Sequence, residues 1–218
     1  MMYLAWAAFY EGNADDTYFR VLIPRILDDL ARSHGGRLPI VIGDYPAFRA
    51  GVRSRDVEYV GQEICDGKEA FDIMFVHADC GGRNLASTLS SRCDAYIDAA
   101  ARKCDFEASR AVRICPQHET EAWALTDPAA ICSVLGYRGP ATDLGLPQTP
   151  RQAESLTDPK AALSAAIVEA SGRRKIRPGR LLPLIAQTQR LSELRRARSY
   201  RNFEAELRST MQTHGFLR

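Results

Sequence analysis

The chain has 218 residues, 45% of them hydrophobic and 26% charged, which excludes a disordered or collagen-like polymer and fits one domain, or one domain with a helical appendage. No apolar run approaches the ~18–20 residues of a membrane span, and Met1-Met2-Tyr3-Leu4-Ala5-Trp6 lacks the basic segment and cleavage site of a secretory signal, so a cytoplasmic location is expected. The net charge of +2 hides an asymmetry, −7 over residues 1–170 against +9 over residues 171–218. Of the 29 basic residues 25 are arginine, a side chain suited to bidentate phosphate contacts. A basic tail behind an acidic body implies either docking to a polyanion or neutralisation within the chain.

Tyr3 to Tyr10 is an uninterrupted apolar run, the pattern of a buried parallel strand. Glu11-Gly12 ends it. Asn13 and Asp15 then offer N-cap chemistry, and Phe19, Leu22, Ile23, Ile26, Leu27 and Leu30 recur at helical spacing up to His34. Leu38–Ile42 predicts a second strand, and residues 43–70 hold a weaker element. Phe71–Val76 predicts a strand running into His77-Ala78-Asp79-Cys80-Gly81-Gly82, followed by a helix over 87–103. Ala111–Cys115 predicts another strand, with a helix from about Glu119 through Leu125. The alternation predicts an α/β domain with a largely parallel sheet over residues 1–135. Residues 136–152, rich in Gly and Pro, predict a loop or linker. Residues 153–218 predict a basic helical region packed on the domain, with helices over 159–170 and 181–211 around a basic loop at 171–179.

The six cysteines, at 65, 80, 93, 104, 115 and 132, form no CxxC pair, which argues against a zinc ribbon. A chain of this length needs no covalent staples, so buried thiols in a reducing compartment are expected.

In an open parallel sheet, ligands bind beyond the carboxyl ends of the strands. Three predicted strands end there beside carboxylates: Glu11, Asp79, and the pair Glu119 and Glu121. Converging carboxylates repel unless they share a cation, and hard oxygen ligands select Mg²⁺ or Mn²⁺. Glu11, Asp79, Glu121 and Asp15 are the candidate ligands, Asp15 also being a candidate helix cap. Glu119 and Glu121 are two apart, so on a helix at most one of them faces the site. His77 is a candidate general acid or base. Gly81-Gly82 leaves room for a phosphate to approach the backbone, and Arg83 stands just beyond it. Arg173, Arg174, Lys175, Arg177 and Arg180 are candidates for gripping a nucleic-acid backbone, and Arg195, Arg196, Arg198 and Arg201 form a basic side on the last predicted helix. Trp123 is expected in the core.

Glu11-Gly12-Asn13-Ala14-Asp15 after a first buried strand resembles the E-G-x-x-D opening of the TOPRIM fold of topoisomerases, primases and several nucleases. His77-Ala78-Asp79 stands where that fold carries D-x-D, with histidine replacing the first aspartate. Together with Glu119-Thr120-Glu121-Ala122-Trp123-Ala124-Leu125-Thr126-Asp127-Pro128, Asp158-Pro159-Lys160 and the C-terminal Arg/Leu helix, the chain resembles a bacterial family of small TOPRIM-like proteins, often encoded beside ATPases in phage-defence settings. The resemblance implies a TOPRIM-like α/β fold and a metal-dependent nuclease. The alternative, favoured by His77 and by the acidic body, is a non-catalytic module that docks to an ATPase partner. The chain has no G-x-x-x-x-G-K-[ST] loop, so ATP-driven behaviour would come from that partner.

Overall fold

The computed structural model describes residues 1–34, 39–46, 48–49, 56–172 and 176–218, without the side chains of Phe48 and Arg49. In chain order the strands are β1 (Met2–Leu4), β2 (Trp6–Phe9), β3 (Ile40–Ile42), β4 (Phe48–Arg49), β5 (Ile73–His77) and β6 (Ala111–Ile114). The helices are α1 (Asn13–His34), α2 (Val57–Gly67), α3 (Leu85–Thr88), α4 (Ala95–Cys104), α5 (Thr120–Ala124), α6 (Pro128–Leu135), α7 (Pro150–Ser155), α8 (Pro159–Ser171), α9 (Pro178–Thr188), α10 (Leu191–Leu194) and α11 (Arg198–Thr213). Among the described residues no helix is long and apolar enough to cross a membrane.

The first apolar run is two strands rather than one. At Ala5 the backbone turns to β5: its N–H donates to Asp72 Oδ2 (2.8 Å) and its carbonyl accepts from Asp72 N–H (2.9 Å). β1 pairs with β3, and β2 enters a four-stranded sheet of order β4-β2-β5-β6, every pair parallel.

Side chains in that sheet alternate between two buried layers, as a pleat with both faces covered requires. Trp6, Ala8, Ile73, Phe75, Val112 and Ile114 join the larger core with α1 and the C-terminal helices. Ala7, Phe9, Met74, Val76 and Ala111 join the smaller core with residues of α2 and α4. The same alternation sets the destination of His77: two residues past Phe75, it lies against Phe19 of α1, ring centroids 5.1 Å apart.

Residues 136–152, expected as a loop or linker, pack on the domain: Leu144, Leu146 and Pro150 are buried and the two leucines belong to the larger core. Two other expectations are corrected. The helix expected over 181–211 is α9, α10 and α11. The chain turns at Gln189, whose buried amide accepts from Tyr18 Oη (2.6 Å) and donates to Trp123 O (2.6 Å) and Thr126 Oγ1 (2.8 Å), bonds that a straight solvated helix would forgo. Nor are all six cysteines thiols: packing of α2 on α4 brings Cys65 and Cys104 to a Cα–Cα distance of 5.9 Å, joined as a disulfide. Cys80, Cys93 and Cys115 are buried thiols.

Candidate metal centre

The strand register aligns Phe9 with Val76 and His77 with Ile114, so β2, β5 and β6 release their chains side by side at one sheet edge. The pairing continues past the strands, with Cys80 N–H donating to Pro116 O (3.3 Å) and Gly81 N–H to His118 O (2.8 Å). Glu11, Asp15, Asp79, Glu119, Glu121 and Lys160 line a cavity of about 280 Å³ at this edge.

His77 is fully buried between two carboxylates. Its Nε2 lies 3.3 Å from Asp79 Oδ1, and its Nδ1 lies 3.8 Å from Asp15 Oδ2. Thr120 Oγ1 donates to Asp15 Oδ1 (2.6 Å) and lies 3.3 Å from His77 Nε2, which ties α5 to both residues. One ligand-capable atom from each of Asp15, His77 and Asp79 lies within 4.8 Å of the others. Burial pulls the imidazole towards neutrality, but Asp15 and Asp79, with Glu11 further out, outweigh it and hold its pKa above the ordinary value. Burial raises the Asp15 carboxyl, opposed by His77 and by a hydrogen bond from Gly12 N–H. Asp15 therefore serves the helix start and the cluster together. Gly12 leaves the carboxylate its place, since a Cβ on it would lie 2.8 Å from Asp15 Oδ2.

Glu11 lines the same cavity but lies outside this three-residue cluster. Its Oε1 accepts from Arg92 Nη2 in a close, nearly buried ion pair, and Arg92 Nη1 donates to Asp79 O (3.2 Å). Arg92 projects from a π-helical turn, Leu89–Asp94, inserted between α3 and α4. Such turns are frequent at functional sites. Glu11, expected as a metal ligand, thus lines the cavity with its charge engaged by Arg92.

The expectation that only one of Glu119 and Glu121 faces the site is also corrected. Glu119 precedes the short helix in an extended conformation (φ −144°, ψ 166°), so the two are not on one helical wheel and both line the cavity. Burial, with Asp79 nearby, raises the Glu119 carboxyl. Burial, reinforced by Glu119 against the opposing hydrogen bond of its own backbone N–H, raises that of Glu121 to about 7. Glu119 Oε2 and His77 Nδ1 are buried without hydrogen-bond partners.

Of the expected Gly81-Gly82 opening, the space beside Gly81 is free, whereas a Cβ on Gly82 would lie 2.8 Å from the His118 imidazole Cε1. Arg83, Arg177 and Arg180 are exposed and line no part of the acidic cavity; Arg173, Arg174 and Lys175 lie outside the described residues. Trp123 is in the core, its indole N–H donating to Ser199 Oγ (2.7 Å). Arg195 is used within the fold, its Nη2 meeting Glu204 Oε1 (2.8 Å) and Asp29 Oδ2 (2.5 Å).

Thr120, Arg92 and Lys160 escaped the sequence reading as site residues. Thr120 and Lys160 stand beside the acidic residues of Glu119–Glu121 and Asp158–Lys160 with no signal of their own, and Arg92 carries no local signal, because its partner is 81 residues away. Comparison with known proteins finds no matching family model, no matching curated protein and no matching solved structure.

Proposed function

We propose that the chain is a metal-dependent phosphodiesterase acting on DNA or RNA, with a TOPRIM-like sheet and Mg²⁺ or Mn²⁺ as its ion. The observation that carries the reading is the convergence of Asp15, His77 and Asp79 at a parallel-sheet edge within an acidic cavity. The donor set fits a divalent cation: two carboxylates and an imidazole whose Nδ1 is buried without a hydrogen bond, with Glu119 Oε2 equally unpartnered beside them. The nitrogen ligand favours Mn²⁺ over Mg²⁺. Bound there, the cation supplies Lewis acidity towards a phosphoryl oxygen and towards water.

The chain's own residues supply the rest. Asp15, His77 and Asp79 hold the ion, with Thr120 orienting Asp15. Arg92 neutralises Glu11 and holds the Asp79 carbonyl, which fixes the loop that carries the ligand. Glu121, with a pKa near 7, exchanges a proton at neutral pH as a general base should. Lys160 offers positive charge at the cavity wall.

The test is a cleavage assay with Mn²⁺ on plasmid, single-stranded DNA and tRNA, with and without a neighbouring ATPase, the partner that the resemblance suggests. Cleavage abolished by Asp79→Asn supports the reading. Full activity in Asp15→Asn and Asp79→Asn would place the chemistry elsewhere. A second reading, a non-catalytic module docking to that ATPase, is favoured by the Glu11–Arg92 pair, which removes one charge from the acidic set. It requires ATPase binding without cleavage of any substrate.

A further inference from the structure

Five arginines that the metal centre does not use converge on a second cavity, of about 760 Å³. Arg83 comes from the loop after β5, Arg151 from α7, Arg196 from the turn between α10 and α11, and Arg198 and Arg201 from the start of α11. All five are exposed.

The carboxylate in the lining does not neutralise them. Glu154 Oε2 accepts from Arg198 N–H (2.6 Å), and its Oε1 accepts from Ser199 N–H (2.7 Å) and Ser199 Oγ (2.5 Å), so it caps α11. Arg196 pairs with Glu193 (2.8 Å), and Arg201 Nη1 donates to Arg196 O (2.9 Å). Among the described residues no carboxylate pairs with Arg83, Arg151, Arg198 or Arg201. The contrast is with Arg195 one turn away, which the fold consumes on Asp29 and Glu204. Five guanidinium groups gathered against two carboxylates, Glu154 in the lining and Glu193 on Arg196, keep a net positive charge and repel one another, and an anion from solution relieves that repulsion.

The rest of the lining differs in chemistry. Leu85, Ala86 and Leu89 present aliphatic surface, and Asn84, Gln117 and Asn202 present amides. Planar forks match phosphate oxygens, and an apolar wall accepts the face of a base. The volume lies within the ~300–1,000 Å³ of small-ligand sites.

We propose that this cleft is a second, metal-independent site that binds the phosphate groups of a nucleotide, with the aliphatic wall against its base. A free nucleotide and a nucleotide within a single strand share that chemistry. The strand is favoured by a common wall: Arg83 and Gln117 line this cleft while Asp79 and Glu119 line the acidic cavity, on two loops hydrogen-bonded to each other. That preference rests on the hydrolase reading above; binding of the phosphates does not.

The experiment uses the full chain in EDTA, so that the metal centre takes no part. Anisotropy of a labelled oligo(dT) 10-mer and calorimetry with ATP read the two sources. The expected result is strand binding that weakens with salt, by a slope of about −0.7 in log K against log[salt] per phosphate neutralised. Arg83→Ala/Arg198→Ala should weaken it at least tenfold, and Arg138→Ala, at an exposed arginine outside the cleft, should not. Should the first double variant misfold, Arg151→Gln/Arg201→Gln tests the same prediction. Binding of ATP alone, lost in the same variants, supports the site with a free nucleotide as its ligand. No binding of either probe, binding unchanged in both double variants, or equal affinity for an oligo-glutamate peptide would overturn the proposal. Strand binding without Mn²⁺-dependent cleavage would keep the cleft and sink the hydrolase, and cleavage without binding in EDTA would do the reverse.

Discussion

His77 Nε2 lies 3.3 Å from Asp79 Oδ1, two residues further along the same chain as it leaves β5, and the ring's other nitrogen faces Asp15. Protonated, His77 places a positive charge between the two carboxylates and holds them together. A metal ion must displace that proton, so affinity depends on pH. Because the imidazole pKa is raised, Mn²⁺ should bind more weakly at pH 6 than at pH 8.5. At 100 times Kd the ion should stabilise the fold by about 2.7 kcal/mol. Thermal melts at both pH values check this, and Asp79→Asn should abolish the shift.

Glu11→Gln should destabilise the metal-free protein by about 1–3 kcal/mol, because it leaves Arg92 partly buried with no charged partner. Urea unfolding in EDTA measures it, with Glu11→Gln/Arg92→Leu closing a double-mutant cycle. Unchanged apo stability combined with lost Mn²⁺ binding would instead make Glu11 a direct ligand.

Gly12→Ala should lower Mn²⁺ affinity roughly tenfold or more by pushing Asp15 out of place, since the added Cβ would stand 2.8 Å from its Oδ2. Calorimetric titration reads the affinity. Equal Mn²⁺ binding would remove Asp15 from the ligand set.

Glu121 makes the metal-free fold sensitive to pH. Its carboxyl is raised from 4.5 to about 7 by burial, so between those values the native state binds more protons than the unfolded chain. Stability should therefore fall as pH rises through that window, by about 2–3 kcal/mol for this group, and Glu121→Gln should flatten the profile. Urea midpoints from pH 4.5 to 8 in EDTA check the sign. A parent whose stability rises across the window, with Glu121→Gln unchanged, would refute it.

Reduction of Cys65–Cys104 should cost about 2–4 kcal/mol, the usual value for closing a loop of this order, the cysteines being 39 residues apart. Melting with and without dithiothreitol measures it, and mass spectrometry should place the bridge. No difference in melting would mean that α2 and α4 hold together by packing alone.

Local pattern determined the parallel α/β frame of this protein. The apolar runs before Glu11 and at 71–76, and helical spacing from Phe19 to Leu30, declare buried elements, though the first run holds both β1 and β2, because burial on both faces of a strand or one side of a helix is written in consecutive residues. The same runs pointed to one edge for Glu11, Asp79 and Glu119 or Glu121, since a parallel sheet sends every strand end to one side, while the grouping of Asp15 and His77 with Asp79 came from the packing of α1 and α5 there. Tertiary structure decided which charges remain available there. Arg92 neutralises Glu11 from 81 residues away, and Arg195 is consumed by Asp29 from 166 residues away, pairings that no periodicity encodes. Residues 136–152 read as a linker because Gly and Pro mark a turning backbone, whereas whether such a backbone is solvated depends on the core that Leu144 and Leu146 find. The arginine cleft has the same origin: Arg83 and Arg198 stand out in separate stretches of the sequence and Arg151 in none, and packing of α7 and α11 beside the β5 loop makes them one site.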